Sequence, residues 1–137
     1  MSTTPSLTSK LIGLHPKLVK AVKDVLGEMA RQGHPMIVTD GLRSTATQQA
    51  LYAKGRTTPG PRVTNADGIK NKSNHQAKDD GLGYAVDCTF LHDGKPCWCE
   101  KHPWNVYGSV AKMNGLEWGG DWTSIKDRPH VELRGKK

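Results

Sequence analysis

The sequence predicts one small α+β domain, with a short antiparallel sheet, helices packed on one side of it and long loops around both. Three observations carry that expectation. The chain has 137 residues, a single-domain length at which a core forms without a disulfide scaffold. Apolar residues recur at helical spacing in some segments and alternate in others. The 15 Gly and 8 Pro separate these segments, which points to a loop-rich fold rather than a helical bundle.

Residues 1–14, with their Thr, Ser and Pro, read as a loose N-terminal arm. From Pro16 to Gly33 the spacing predicts a helix. Leu18, Val22, Val25 or Leu26, and Met29 recur at steps of three and four, and Lys17, Lys20, Lys23, Glu28 and Arg31 fill the other face. Pro16 suits the first turn and Gly33 the stop. Met36 to Thr39 reads as a short buried strand ended by Asp40-Gly41. Ser44 caps a second helix running to about Lys54, with Gly55 beyond it.

Residues 55–82 form a long polar excursion, and a loop of that length inside a compact domain is usually functional. Tyr84 to Phe90 alternates: Tyr84, Val86, Cys88 and Phe90 face one way, Ala85, Asp87 and Thr89 the other. This predicts a half-buried strand with a carboxylate on its second face. Residues 91–102 are expected as a Cys/His-bearing loop, Pro103 to Asn114 as a helix closed by Gly115, and Leu116–Trp118 and His130–Leu133 as closing strands. The domain proper is expected over residues 15–134, with 135–137 a fraying basic tail.

A balance of 20 Lys+Arg against 13 Asp+Glu gives a net charge of +7, which favours an anionic partner: nucleic acid, acidic membrane or cell wall. No helix-turn-helix, zinc-finger or aromatic RNA-binding signature is visible, so nucleic acid is not the expected one. No apolar run approaches the ~20 residues of a membrane span. The start, MSTTPSLTSKLIGLHP, lacks the charged and apolar regions of a signal peptide, so export is not expected. Cys88, Cys97 and Cys99 are an odd count, which argues against a secreted disulfide framework and for synthesis in a reducing cytoplasm.

Three polar residues stand where the elements leave little room for solvent. Asp87 lies within a strand, His130 opens another, and His75 ends the loop phrase Ser73-Asn74-His75. Two His and one Asp would satisfy a catalytic zinc, which takes three protein ligands and keeps one position open for water. Spacing alone leaves the bland reading standing: a solvated His75, an Asp87 bonded to a backbone amide, an ordinary His130. Asp127 precedes His130 by three residues, and Pro129 between them disfavours a helix there. In an extended or turn segment its carboxylate could reach a metal's water as a base, or serve only as a turn residue. Arg43, between a strand and a helix start, could bind a carboxylate or an oxyanion, or be a surface arginine. His92, Cys97, Cys99 and His102 leave two readings open: a structural zinc, or free thiols and solvated imidazoles.

The phrases GLRSTATQQALYAKGRT, PGPRVTNADG, SNH followed by GYAVD, LEWGGDW and DRPHVEL occur together and in order. On these, covering about residues 15–134, the chain resembles the family of zinc D-alanyl-D-alanine carboxypeptidases and L-alanyl-D-glutamate endopeptidases that cut bacterial cell walls, which includes many bacteriophage endolysins. The resemblance implies a zinc site inside the long loops, with His75, Asp87 and His130 as ligands and Asp127 as general base. It implies that Arg43 binds substrate and the transition state, and that Ser73 supports substrate or metal. Gln48 matches a recurrent glutamine of unassigned role, and Asp121 in GGDW reads as a structural residue bonding loop amides. The family phrase S-x-H-x-x-G-x-A-x-D is shorter than the segment here, where eleven residues separate His75 from Asp87. The extra residues, within Gln76 to Leu82, read as a surface insertion, which costs little in closure entropy. Asp79 and Asp80 stand there as rival carboxylates.

The expected function is that of a phage endolysin, a zinc peptidase hydrolysing the L-Ala–D-Glu bond of the peptidoglycan stem peptide. A D-Ala–D-Ala carboxypeptidase is the alternative, and a non-catalytic basic zinc-binding module the more distant one. The resemblance implies accumulation in the host cytoplasm and access to periplasmic peptidoglycan through a holin lesion. The positive charge is expected to draw the protein to anionic envelope polymers, and a compact monomer is the expected state.

Overall fold

The computed structural model describes residues 11–70, 72–78, 80–123 and 126–133. Helix α1 (Pro16–Arg31) leads into β1 (Met36–Asp40), α2 (Thr45–Ala53), β2 (Ala85–His92) and β3 (Lys95–Cys97). Then come α3 (Trp104–Met113), β4 (Leu116–Trp118), a 3₁₀ turn over Gly119–Asp121 and β5 (His130–Leu133). This is the α+β domain with an antiparallel sheet that the sequence predicts. The sheet order is β1-β2-β5-β4, with β3 paired to the far end of β2.

The apolar stripe of α1 is the one read from the spacing, since Leu18, Ala21, Val22, Val25, Leu26 and Met29 are all buried. With Tyr107, Val110 and Ala111 of α3 it covers the sheet face formed by Met36, Val38, Val86, Cys88, Phe90, Leu116, Val131 and Leu133. Gly108 lets α3 approach Trp118, because a Cβ there would stand 2.3 Å from the indole. Helix α2 lies apart from this core. Its one buried residue is Gln48, which serves the other side of the sheet.

Three expectations are corrected. The arm does not extend to residue 14: Leu11 and Leu14 are buried, and backbone bonds tie Gly13 and His15 to Gly83. The first ten residues and the tail 134–137 lie outside the described residues. The second face of β2 is not solvent-facing, since Ala85 and Thr89 are fully buried and the Thr89 hydroxyl donates to the Cys97 carbonyl at 2.6 Å. Residues 91–102 are not all loop. Strand β2 runs to His92, and Asp93-Gly94, with φ of 54° and 77°, turn the chain into β3. Asp-Gly between strands is the hairpin signal that the Cys and His residues obscured.

Candidate metal centre

Asp87 and His130 are direct cross-strand partners, on the sheet face opposite the helical core. His75 reaches them from a loop held by its own turn. The Ser73 hydroxyl accepts from the His75 amide at 3.1 Å, and the Arg43 amide donates to the His75 carbonyl at 2.7 Å. Both imidazoles are buried, with His75 1% and His130 4% exposed.

The inner atoms converge. His75 Nε2 lies 3.1 Å from His130 Nδ1, and Asp87 Oδ1 is 3.4 Å from each. An ion bound tetrahedrally at about 2.0–2.1 Å spaces its ligands about 3.3 Å apart, so these three atoms stand at the separations of one tetrahedral face. The outer ring nitrogens are committed elsewhere. His75 Nδ1–H donates to the Gly41 carbonyl at 2.9 Å and His130 Nε2–H to Glu132 Oε1 at 2.6 Å. When the rings are neutral, both therefore turn lone pairs inward, toward a carboxylate oxygen that is buried without a hydrogen-bond partner. In that state three acceptors face one another, and the positive charge they call for is one that a divalent cation supplies in place of a proton. Among the described residues no other group of three or more His, Cys, Asp or Glu converges in this way.

The electrostatics favour positive charge at this point. Burial pushes the His130 imidazolium down, but the carboxylates of Asp87 and Glu132 outweigh it and raise it to about 9. Burial likewise opposes the Asp87 carboxylate, yet the His130 and His75 imidazoles hold it well below the usual range.

Asp127 and Arg43 border the cluster. Asp127 Oδ2 is 3.8 Å from His130 Nδ1 on a side chain about one-third exposed. Burial and the charge of Asp87 push its carboxyl above the usual value, against the pull of His130, His75 and Arg43. Its segment is pinned by Tyr107 and Trp118, which donate to the carbonyls of Pro129 and Arg128 at 2.8 and 2.7 Å. The Arg43 guanidinium bonds Asp40 and, at 2.7 Å, Gln48, and stands 3.6 Å from Asp87 Oδ2. Gln48 thereby gains the role that the sequence left unassigned. It accepts from Arg43 and donates to the Ala66 carbonyl at 2.8 Å, joining the arginine to the long loop. The three converging residues, with Asp127, Arg43 and Ser73, line a groove of about 1130 Å³.

Other candidates fall elsewhere. Asp80 bonds the Tyr84 hydroxyl and the Leu82 amide in the insertion, away from the cluster, and Asp79 lies outside the described residues. Asp121 bonds no loop amide among the described residues; it is exposed and pairs with Lys112 at 3.0 Å. The second Cys/His group does not assemble: His92 faces Asp93, His102 stacks on Phe90 at 4.8 Å, and Cys99 is exposed. Glu132 and Asn74 were missed. The signal for Glu132 was its position two residues after His130 on one strand, which puts both on the same face.

The sequence profile described as D-alanyl-D-alanine carboxypeptidase matches residues 67–133, a span that includes His75, Asp87, Asp127 and His130. The peptidoglycan L-alanyl-D-glutamate endopeptidase CwlK of Bacillus subtilis is 36% identical over 129 residues, covering 88% of this chain and 73% of that protein. Among solved structures, the L-Ala D-Glu endopeptidase ChiX of Serratia marcescens superposes with a TM-score of 0.69 at 24% identity, over 97% of this chain and 90% of that one. The vancomycin-resistance D,D-pentapeptidase VanY, solved with Zn(II), gives 0.62 at 17% identity, over 89% and 73%. The fold is thus shared with these structures, and the CwlK match over most of both chains decides the kinship: the chain belongs to the M15 peptidases, the family of D-Ala-D-Ala carboxypeptidases and L-Ala-D-Glu endopeptidases.

Proposed function

We propose that this chain is a zinc-dependent L-alanyl-D-glutamate endopeptidase of peptidoglycan. The observation that carries the reading is the convergence of His75 Nε2, Asp87 Oδ1 and His130 Nδ1 to within 3.1–3.4 Å of one another, beside the carboxylate of Asp127. His75 Nε2, Asp87 Oδ1 and His130 Nδ1 would hold the zinc. When bound it supplies a Lewis acid that polarises the peptide carbonyl and acidifies water. Three protein ligands rather than four also favour a catalytic over a structural site, and so an enzyme over a binding module.

The chain's own groups do the rest. Asp127 takes a proton from the attacking water as its oxygen bonds to the alanyl carbonyl carbon. The carbon–nitrogen bond then breaks, and Asp127 returns that proton to the departing amine. Arg43, fixed by Asp40 and Gln48, stabilises the negative charge that builds on the carbonyl oxygen. Ser73 keeps His75 in place through its amide and lines the groove. Arg62 and Lys126 add positive charge to the walls, complementary to a peptide whose glutamate keeps one carboxylate free.

The D-Ala–D-Ala carboxypeptidase reading draws support from the description of the matching profile. The endopeptidase reading draws its support from CwlK, a peptidoglycan L-alanyl-D-glutamate endopeptidase to which this chain is 36% identical. Deployment as a phage endolysin, made in the host cytoplasm as a monomer, released through a holin lesion and drawn to anionic wall polymers, extends the proposal. It rests on the motif resemblance and the +7 charge. Digestion of purified muropeptides tests the reaction. Free amino-terminal D-Glu, abolished by chelator and restored by zinc, is the expected result. Release of terminal D-Ala alone would replace it with the carboxypeptidase, and no zinc-dependent product would overturn it.

A further inference from the structure

The cluster's outer hydrogen bonds lead to two further residues that line the groove, Glu132 and Asn74. Glu132 is a carboxylate only 7% exposed, with both oxygens engaged: Oε1 takes His130 Nε2–H at 2.6 Å and Oε2 takes the Asn74 side-chain amide at 2.7 Å. Asn74 is adjacent to His75 in the chain, and its carbonyl accepts from the Tyr84 amide at 2.7 Å, at the entry to β2. The loop that delivers one imidazole therefore also grips the carboxylate that orients the other.

We propose that Glu132 and Asn74 form a positioning pair that fixes the tautomer and ring angle of His130. It makes Nδ1 the ligand atom and couples β5 to the 73–75 loop, so the first and last ligands are set together. This rests on the zinc reading above, and adds two residues to it. The chemistry is directional. A carboxylate accepts from both donors at once with its full charge, whereas an amide at position 132 accepts more weakly from His130 and, with its N–H₂ toward Asn74, forces the Asn74 amide to flip and accept. Partners of this kind behind a metal-bound imidazole typically set metal affinity by 10–100-fold.

The test is a cycle of zinc affinities in the full chain, measured by competition with a chromophoric chelator, alongside thermal melts. Glu132→Gln is expected to weaken zinc by about 10–100-fold. Asn74→Asp, which sets two carboxylates face to face, should weaken it as well. In the double variant the new amide at position 132 would accept from His130 and donate to the new carboxylate at position 74. Affinity should then recover to within about tenfold of wild type. A merely structural role would lower melting temperatures without this recovery. Wild-type affinity in Glu132→Gln, or a double variant no better than its weaker parent, overturns the pair. If the wild-type chain itself binds no zinc, the proposed function fails first and the pair falls with it. A zinc-binding wild type with an unaffected Glu132→Gln rejects the pair alone.

Discussion

Gly119 touches the backbone of Asp127 so closely that a Cβ built on it would lie 2.3 Å from the Asp127 carbonyl oxygen, and the Asp127 amide donates to the Gly119 carbonyl at 3.0 Å. The base proposed for the reaction is thus set by a residue that does not itself line the groove. Gly119→Ala is expected to displace Asp127 and lower kcat by about 10²-fold, the scale of an ångström's misplacement, with zinc content unchanged. Wild-type kcat in a folded Gly119→Ala protein would show that the contact does not position the base.

Asp127 itself lies outside the three converging atoms. Asp127→Ala should therefore keep its zinc, measured by atomic absorption, while hydrolysis of murein falls by about 10²–10⁴-fold. Lysis at the wild-type rate would remove Asp127 from the chemistry.

The insertion between His75 and Asp87 is anchored by Asp80, which accepts from the Tyr84 hydroxyl and the Leu82 amide. The Tyr84 bond holds the Asp80 carboxyl below its usual value. A carboxyl with a depressed folded pKa stabilises the fold above its unfolded pKa, and that contribution disappears as pH falls through the folded value. Asp80→Asn should thus melt below wild type at pH 7, and the two curves should converge in acid. A gap independent of pH would mean the ionised carboxylate is not what anchors the loop.

Cys88 faces the helical core and its thiol is pushed up to about 12, chiefly by burial. A thiol reagent at neutral pH should label Cys99 quickly, Cys97 more slowly, and Cys88 only after denaturation. Three fast equivalents in the native protein would contradict the packing of β2.

The sequence alone marked most of the elements and the residues proposed to carry the chemistry. The 3.6-residue stripe from Leu18 to Met29 and the alternation through Val86, Asp87 and Cys88 are local properties, because a helix or strand assigns faces by counting along the chain. His75, Asp87, His130, Asp127 and Arg43 were legible because their flanking phrases keep their order. Tertiary structure alone decided what lies beyond single segments. It turned residues 92–97 into a hairpin, brought Leu11 and Leu14 into the core, left Cys97, Cys99, His92 and His102 apart, and placed Asn74 against Glu132. The reason is physical: partners 58 positions apart meet only through sheet register and loop path, which depend on the packing of the whole chain.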